Sequence, residues 1–183
     1  MRRFVLPSLT ALLAVALVAL LVFGVLQTNG GDDTIDEAVA RGQRPLAPDA
    51  SLPLLDGGTQ RFADLRGKVV LVSFFAHWCG PCKEEAPLLV RTQRRIASRG
   101  ATVVGVAWNE TTADARGFVR TYGLNYPVVR DVDGAFGNAY AVRGMPETFL
   151  LDADGRIVAL RRGPIDERWI AQYLDPLLAG RSS

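Results

Sequence analysis

Both cysteines of this 183-residue chain lie in one short stretch, His77 to Cys82, which reads HWCGPC. Cys79 and Cys82, with Gly80 and Pro81 between them, can close one disulfide, hold a metal as a pair, or exchange with another protein's disulfide. An inert staple is the weakest of these readings, because closing so short a loop constrains the unfolded chain very little. Structural zinc wants four ligands, and the chain's one histidine, His77, stands beside the pair. Two thiolates suffice for Cu(I). Disulfide exchange needs a thiol held in its ionised form, which the surrounding elements must supply.

Those elements are legible around the motif. Val69–Ala76, VVLVSFFA, is a nearly continuous apolar run rich in β-branched and aromatic residues, which predicts a buried strand. Cys79–Arg99 predicts a helix with Ala86, Leu89, Val90, Ile96 and Ala97 on one side, closed by Gly100. Ala101–Trp108, ATVVGVAW, predicts a second buried strand, and strand–helix–strand at this spacing is a parallel βαβ unit. The cysteines therefore fall where a buried strand ends and a helix begins. The N–H groups and dipole of a helix start stabilise a thiolate, so the context favours redox exchange, with a copper-binding pair as the alternative. Cys79 is expected to be exposed and nucleophilic, and Cys82, a turn further in, to be the more buried, resolving thiol. Trp78 is expected to cover the disulfide, His77 to be a surface residue, and Trp108 and Trp169 to pack.

Further along, a helix is expected over Ala113–Tyr122 and a short strand over Pro127–Arg130. Thr148–Leu151 and Arg156–Leu160 flank the turn Asp152–Gly155, which predicts an antiparallel hairpin. Ala50–Leu54 and Thr59–Phe62 flank Asp56-Gly57-Gly58 in the same way, and Asp166–Leu178 reads as an amphipathic closing helix. The fold class is α/β: a mixed central sheet with helices on both faces. The stretches DVDG and DADG lack the longer ligand pattern of a calcium loop and read as turns.

The N-terminus has a different character. Residues 4–26 are apolar and uncharged; as a helix they rise about 34 Å, enough to cross a hydrocarbon core of about 30 Å. Arg2 and Arg3 precede them and Asp32, Asp33, Asp36 and Glu37 follow, so the positive-inside rule places the N-terminus in the cytoplasm. The run exceeds a signal peptide's apolar region, and no small-residue cleavage site follows it, which favours an uncleaved anchor. The expected organisation is a cytoplasmic stub at residues 1–3, a transmembrane anchor at 4–26, a linker at 27–44 with one helical turn near Ile35–Ala40, and a domain at 45–183. That domain then faces an extracytoplasmic compartment, where disulfides persist. The formal net charge of +2 comes with no basic stripe, which argues against nucleic acid as a partner.

The sequence WCGPCKEEAP resembles the active-site motif of the thioredoxin superfamily, with Pro87 where that family has a helix-kinking proline. VRGMPETFLLDADGRIV resembles the second thioredoxin signature, which implies that Pro146 is a cis-proline opposite the disulfide and that the Met145 backbone pairs with an extended substrate. The anchor, the segment after Val103–Glu110 and the PETF of Pro146–Phe149 resemble the membrane-anchored TlpA/ResA/DsbE (CcmG) branch, over roughly Pro45 to Leu178. One departure bears on the chemistry. Where thioredoxins carry a buried Asp, this chain has Ser73. The proton handler for Cys82 must lie elsewhere, and Glu85, Glu147 and Glu110 are the candidates.

The resemblance implies an extracytoplasmic thiol–disulfide oxidoreductase, without a cofactor, that works mainly as a reductant. Its implied client is the disulfide of an apocytochrome c haem-attachment motif, and its implied electron donor a membrane thiol transporter of the DsbD/CcdA type. A Gly-Pro dipeptide between the cysteines is shared with thioredoxin, whose potential is about −270 mV, far below the strong oxidants near about −120 mV. The alternatives are a general TlpA-type reductase for another client and a non-enzymatic copper module.

Overall fold

A computed structural model describes residues 34–180. The expected anchor at 4–26 and the first part of the linker lie outside the described residues. Among the described residues no helix is long and apolar enough to cross a membrane.

The described chain opens with a short helix α1 (Ile35–Ala40), followed by an antiparallel pair, β1 (Ser51–Pro53) and β2 (Thr59–Arg61), joined through the Asp56–Gly58 turn. A 3₁₀ turn at Phe62–Leu65 leads to β3 (Val69–Phe75), then helix α2 (Gly80–Ile96), β4 (Ala101–Trp108), α3 (Thr112–Tyr122) and β5 (Val128–Asp131). A short α4 (Ala135–Ala139) precedes the hairpin β6 (Glu147–Leu151) and β7 (Ile157–Arg162). The sheet order is β5-β4-β3-β6-β7, with β3, β4 and β5 parallel and β6 and β7 antiparallel.

Every residue of β3 is buried, Ser73 included, as its nearly continuous apolar run requires of a central strand covered on both faces. Val69, Leu71 and Phe75 point to the side that α2, α3 and the C-terminal helix cover. Val70, Val72 and Phe74 point to the other side, against Phe62, Phe136, Tyr140 and Phe149. On that second side the rings of Phe74 and Tyr140 lie 5.4 Å apart and those of Tyr140 and Phe149 4.8 Å apart, in tilted and edge-to-face pairs.

Two elements depart from the sequence reading. Helix α4 was not anticipated. It starts after Gly134, held by Asp131, whose two carboxylate oxygens accept the N–H groups of Phe136 at 3.1 Å and Gly137 at 2.7 Å. The closing helix, expected to be continuous, runs as Glu167–Trp169, a π-helical turn Ile170–Leu174 and Asp175–Ala179. Pro176 explains the interruption: its ring would clash with the carbonyl of Gln172 in a regular helix, and a wider turn relieves this. The DADG stretch is the expected turn, with Asp152 Oδ1 accepting the N–H groups of Asp154 and Arg156 at 3.0 and 2.9 Å.

Candidate active site

Strand β3 delivers the chain to the site. It ends at Phe75, and the turn Ala76–Trp78 carries it to Cys79, the N-cap of α2. Cys79 has extended backbone angles, and its Sγ accepts the N–H of Cys82 at 3.1 Å, filling one of the donor positions that a helix start leaves open. Pro81 lies in the first turn, where no intrahelical N–H is needed. Cys79 and Cys82 are joined as a disulfide with their Cα atoms 5.3 Å apart.

The exposure of the site differs from expectation. Cys79 is 3% exposed and Cys82 2%, so the two are almost equally buried. In the oxidised state Cys79 sits in the same apolar cluster as Ala76, Cys82 and Ala86, with Met145 packed against it. Trp78, expected as a cover, is 60% exposed and stands on the surface beside the motif. Gly80 faces open space. The Met145–Pro146 peptide bond is cis, as the family resemblance implied.

The carboxylates separate by their surroundings. Glu85, one turn beyond Cys82 on α2, is buried, and its Oε1 accepts the Ile165 N–H at 2.7 Å. Burial drives its pKa up to about 7, opposed by that hydrogen bond. Glu147 is also buried but fully occupied: Oε1 accepts the N–H groups of Arg143 and Gly144, each at 3.1 Å, and Oε2 pairs with Arg162. With both oxygens engaged, it ties the loop that carries Pro146 to Arg162.

Glu110 follows the end of β4, next to the end of β3. Its Oε2 accepts the backbone N–H of His77 at 2.8 Å and lies 2.8 Å from the same residue's Nδ1. His77 is on the surface, as expected, and is also tied to Glu110. Sequence reasoning missed this pair, though both residues follow the C-terminal ends of adjacent parallel strands, which is the signal that would have found it. Ser73, at the position of the missing acid, is buried and faces Thr148 across the β3–β6 ladder. Among the described residues no three His, Cys, Asp or Glu side chains converge on a metal-sized space.

A disulfide at the start of the helix that follows the central strand, with a cis-proline leading into the strand paired beside it, defines a thioredoxin-like dithiol protein. The comparisons with known proteins agree. The model of the AhpC/TSA family matches residues 44–160. The thiol-disulfide oxidoreductase ResA of Bacillus subtilis is 33% identical over 155 residues, covering 82% of this chain and 87% of the relative. The thiol:disulfide interchange protein HelX of Rhodobacter capsulatus is 39% identical over 146 residues, covering 79% and 76%. A crystal structure of a thiol:disulfide interchange protein from Chlorobium tepidum superposes with a TM-score of 0.67 at 32% identity, over 74% of this chain and 97% of that one. The chain belongs to the AhpC/TSA family and is a thioredoxin-like thiol–disulfide oxidoreductase.

Proposed function

We propose that the protein is a membrane-anchored, extracytoplasmic reductant whose client is the disulfide of an apocytochrome c haem-attachment motif. The observation that carries the reading is the Cys79–Cys82 disulfide at the start of α2, with Glu85 buried one turn further along the same helix and its carboxyl pushed up to about 7 by burial. Similarity to ResA and HelX supports the redox class. The apolar run at residues 4–26 supports the anchor.

In the proposed cycle Cys79, as thiolate, attacks one sulfur of the client disulfide, and a mixed disulfide forms as the client's other sulfur leaves as a thiolate. Glu85 accepts the proton of Cys82. The Cys82 thiolate then attacks Cys79 Sγ, closing the internal disulfide and releasing the second client sulfur. Two electrons have passed to the client, which ends as a dithiol. A membrane thiol donor of the DsbD/CcdA type restores Cys79 and Cys82 by the same exchange in reverse.

The test is the reduction potential of the full chain in detergent, by redox-buffer titration with thiol trapping. Trapping with the Cys82→Ala variant and an oxidised Cys-x-x-Cys-His peptide follows. A potential near or below about −250 mV together with a stable mixed disulfide through Cys79 supports the reading. A potential near about −120 mV would assign an oxidant and remove the cytochrome client.

A further inference from the structure

Helix α1, in the segment that the composition reads as linker, is docked on the domain by a chain of charges that ends at the active-site loop. Asp36 grips one edge of the Arg162 guanidinium: Nε donates to Oδ1 at 3.0 Å and Nη2 to Oδ2 at 2.5 Å. The remaining nitrogen, Nη1, donates to Glu147 Oε2. Glu147 Oε1 in turn accepts the N–H groups of Arg143 and Gly144, which lead into Met145 and Pro146. The Arg143 guanidinium closes the ring, 3.6 Å from Asp36 Oδ2. Arg162 also lies over the Phe149 ring, 5.3 Å from its centre. Asp36 and Arg162 are 126 positions apart in sequence.

We propose that Asp36 is a positioning residue for the Arg143–Pro146 loop, acting through Arg162 and Glu147, so that the segment joining the domain to its N-terminal region also shapes the client-binding side of the dithiol site.

The geometry says why one residue so far from the sulfurs matters. An arginine has two edges that can grip a carboxylate with both oxygens at once. Asp36 grips the Nε–Nη2 edge and so fixes the orientation of the guanidinium, which meets Glu147 through Nη1 at Oε2 and leaves Oε1 to the loop amides. Without Asp36 the guanidinium is free to turn and take both Glu147 oxygens. Oε1 then leaves Arg143 and Gly144, and the loop beside the disulfide loses its anchor. An exposed ion pair would do little here. This one is partly buried and shared by three charged partners, which makes it directional.

The inference rests on the dithiol reading for its kinetic consequence, but not for its structural one, and the experiment separates the two. In the full chain, Asp36→Ala is compared with wild type by amide hydrogen exchange and by reduction of an oxidised Cys-x-x-Cys-His peptide. The Arg143 and Gly144 amides are expected to exchange about tenfold faster, with the β3 and β4 amides unchanged. KM for the peptide rises about fivefold while kcat holds. Asp36→Glu, which keeps the two-oxygen grip, restores both, and Asp36→Ala adds nothing in a Glu147→Gln background. Unchanged exchange at Arg143 and Gly144 overturns the inference whatever the activity. A lowered melting temperature with unchanged exchange and unchanged KM also overturns it, by reducing Asp36 to a fold-stabilising contact. Faster exchange in a chain whose wild type fails to reduce the peptide upholds the strut and overturns the client reading alone.

Discussion

The Glu85 carboxylate accepts the backbone N–H of Ile165 at 2.7 Å, tying the redox helix to the segment that follows β7, 80 positions further along. The bond favours the ionised acid, yet burial outweighs it and lifts the pKa from 4.5 to about 7. Between those values the folded protein holds a proton that the unfolded chain has released. The Glu85 contribution to stability is therefore fully present below pH 4.5 and is lost as the pH rises through about 7. At 1.36 kcal/mol per unit, Glu85 accounts for a loss of about 3 kcal/mol across that window. Denaturant melts between pH 4 and 8 are expected to show that slope in the oxidised wild type. Glu85→Gln, whose carbonyl still accepts from Ile165, flattens it and is the more stable protein at pH 8. A wild-type profile that is already flat refutes the burial argument.

The same residue governs a kinetic step if it takes the proton of Cys82. At pH 7 Glu85→Gln is expected to form the mixed disulfide at the wild-type rate and to resolve it about a hundredfold more slowly. The deficit shrinks as the pH rises, because hydroxide then removes the thiol proton without Glu85. Quenched-flow mass spectrometry of the mixed disulfide measures both phases. A uniform slowing of formation and resolution would mean that the substitution disturbs Cys79 instead.

Gly137 tests the packing behind the sheet. A Cβ there would collide with Trp108 Nε1 and approach Trp108 Cδ1 to 2.6 Å, with Asp131 Oδ2 at 3.3 Å. Trp108 ends β4 and Asp131 holds the start of α4, so neither yields easily. Gly137→Ala is expected to destabilise by about 2 kcal/mol, lowering the melting temperature by about 6 °C. Gly117→Ala, on the open face of α3 with nothing near its added carbon, is the control and stays at the wild-type value or above. Equal melting temperatures for the two variants would show that Trp108 moves aside at no cost.

How much of this was legible beforehand follows the range of the interactions. The β3–α2–β4 unit and its cysteines were readable because apolar runs, a helix start and a Cys-x-x-Cys spacing are all local. The hairpin at Asp152–Gly155 was readable for the same reason. The division of labour among Glu85, Glu110 and Glu147 was not. Glu147 is decided by Arg162 and by loop amides, Glu110 by His77 in the turn after the neighbouring strand, and Glu85 by how deeply α2 is covered. None of these leaves a periodic trace. The exposure of Cys79 was misjudged because a helix start is ordinarily solvated, whereas here Cys79 is 3% exposed and belongs to the apolar cluster on that side of the sheet.

Glu110 offers the last test, because it holds the turn just before Cys79. Its side chain is 2% exposed, and its Oε2 receives both the main-chain N–H and the ring of His77. Glu110→Ala removes the acceptor and lets the His77–Trp78 turn drift, which displaces Cys79 from the helix start that favours its thiolate. Attack by Cys79 on a small aromatic disulfide is then expected to slow about tenfold, with a loss of about 2 kcal/mol in stability from the N–H left without its acceptor. Glu110→Gln keeps an oxygen for the His77 N–H and recovers most of the rate. Stopped-flow absorbance on the reduced proteins gives the rates, and denaturant melts give the stabilities. If the Gln variant is as slow as the Ala variant, the charge of Glu110 matters rather than its grip on the backbone, and the turn is held by something other than this hydrogen bond.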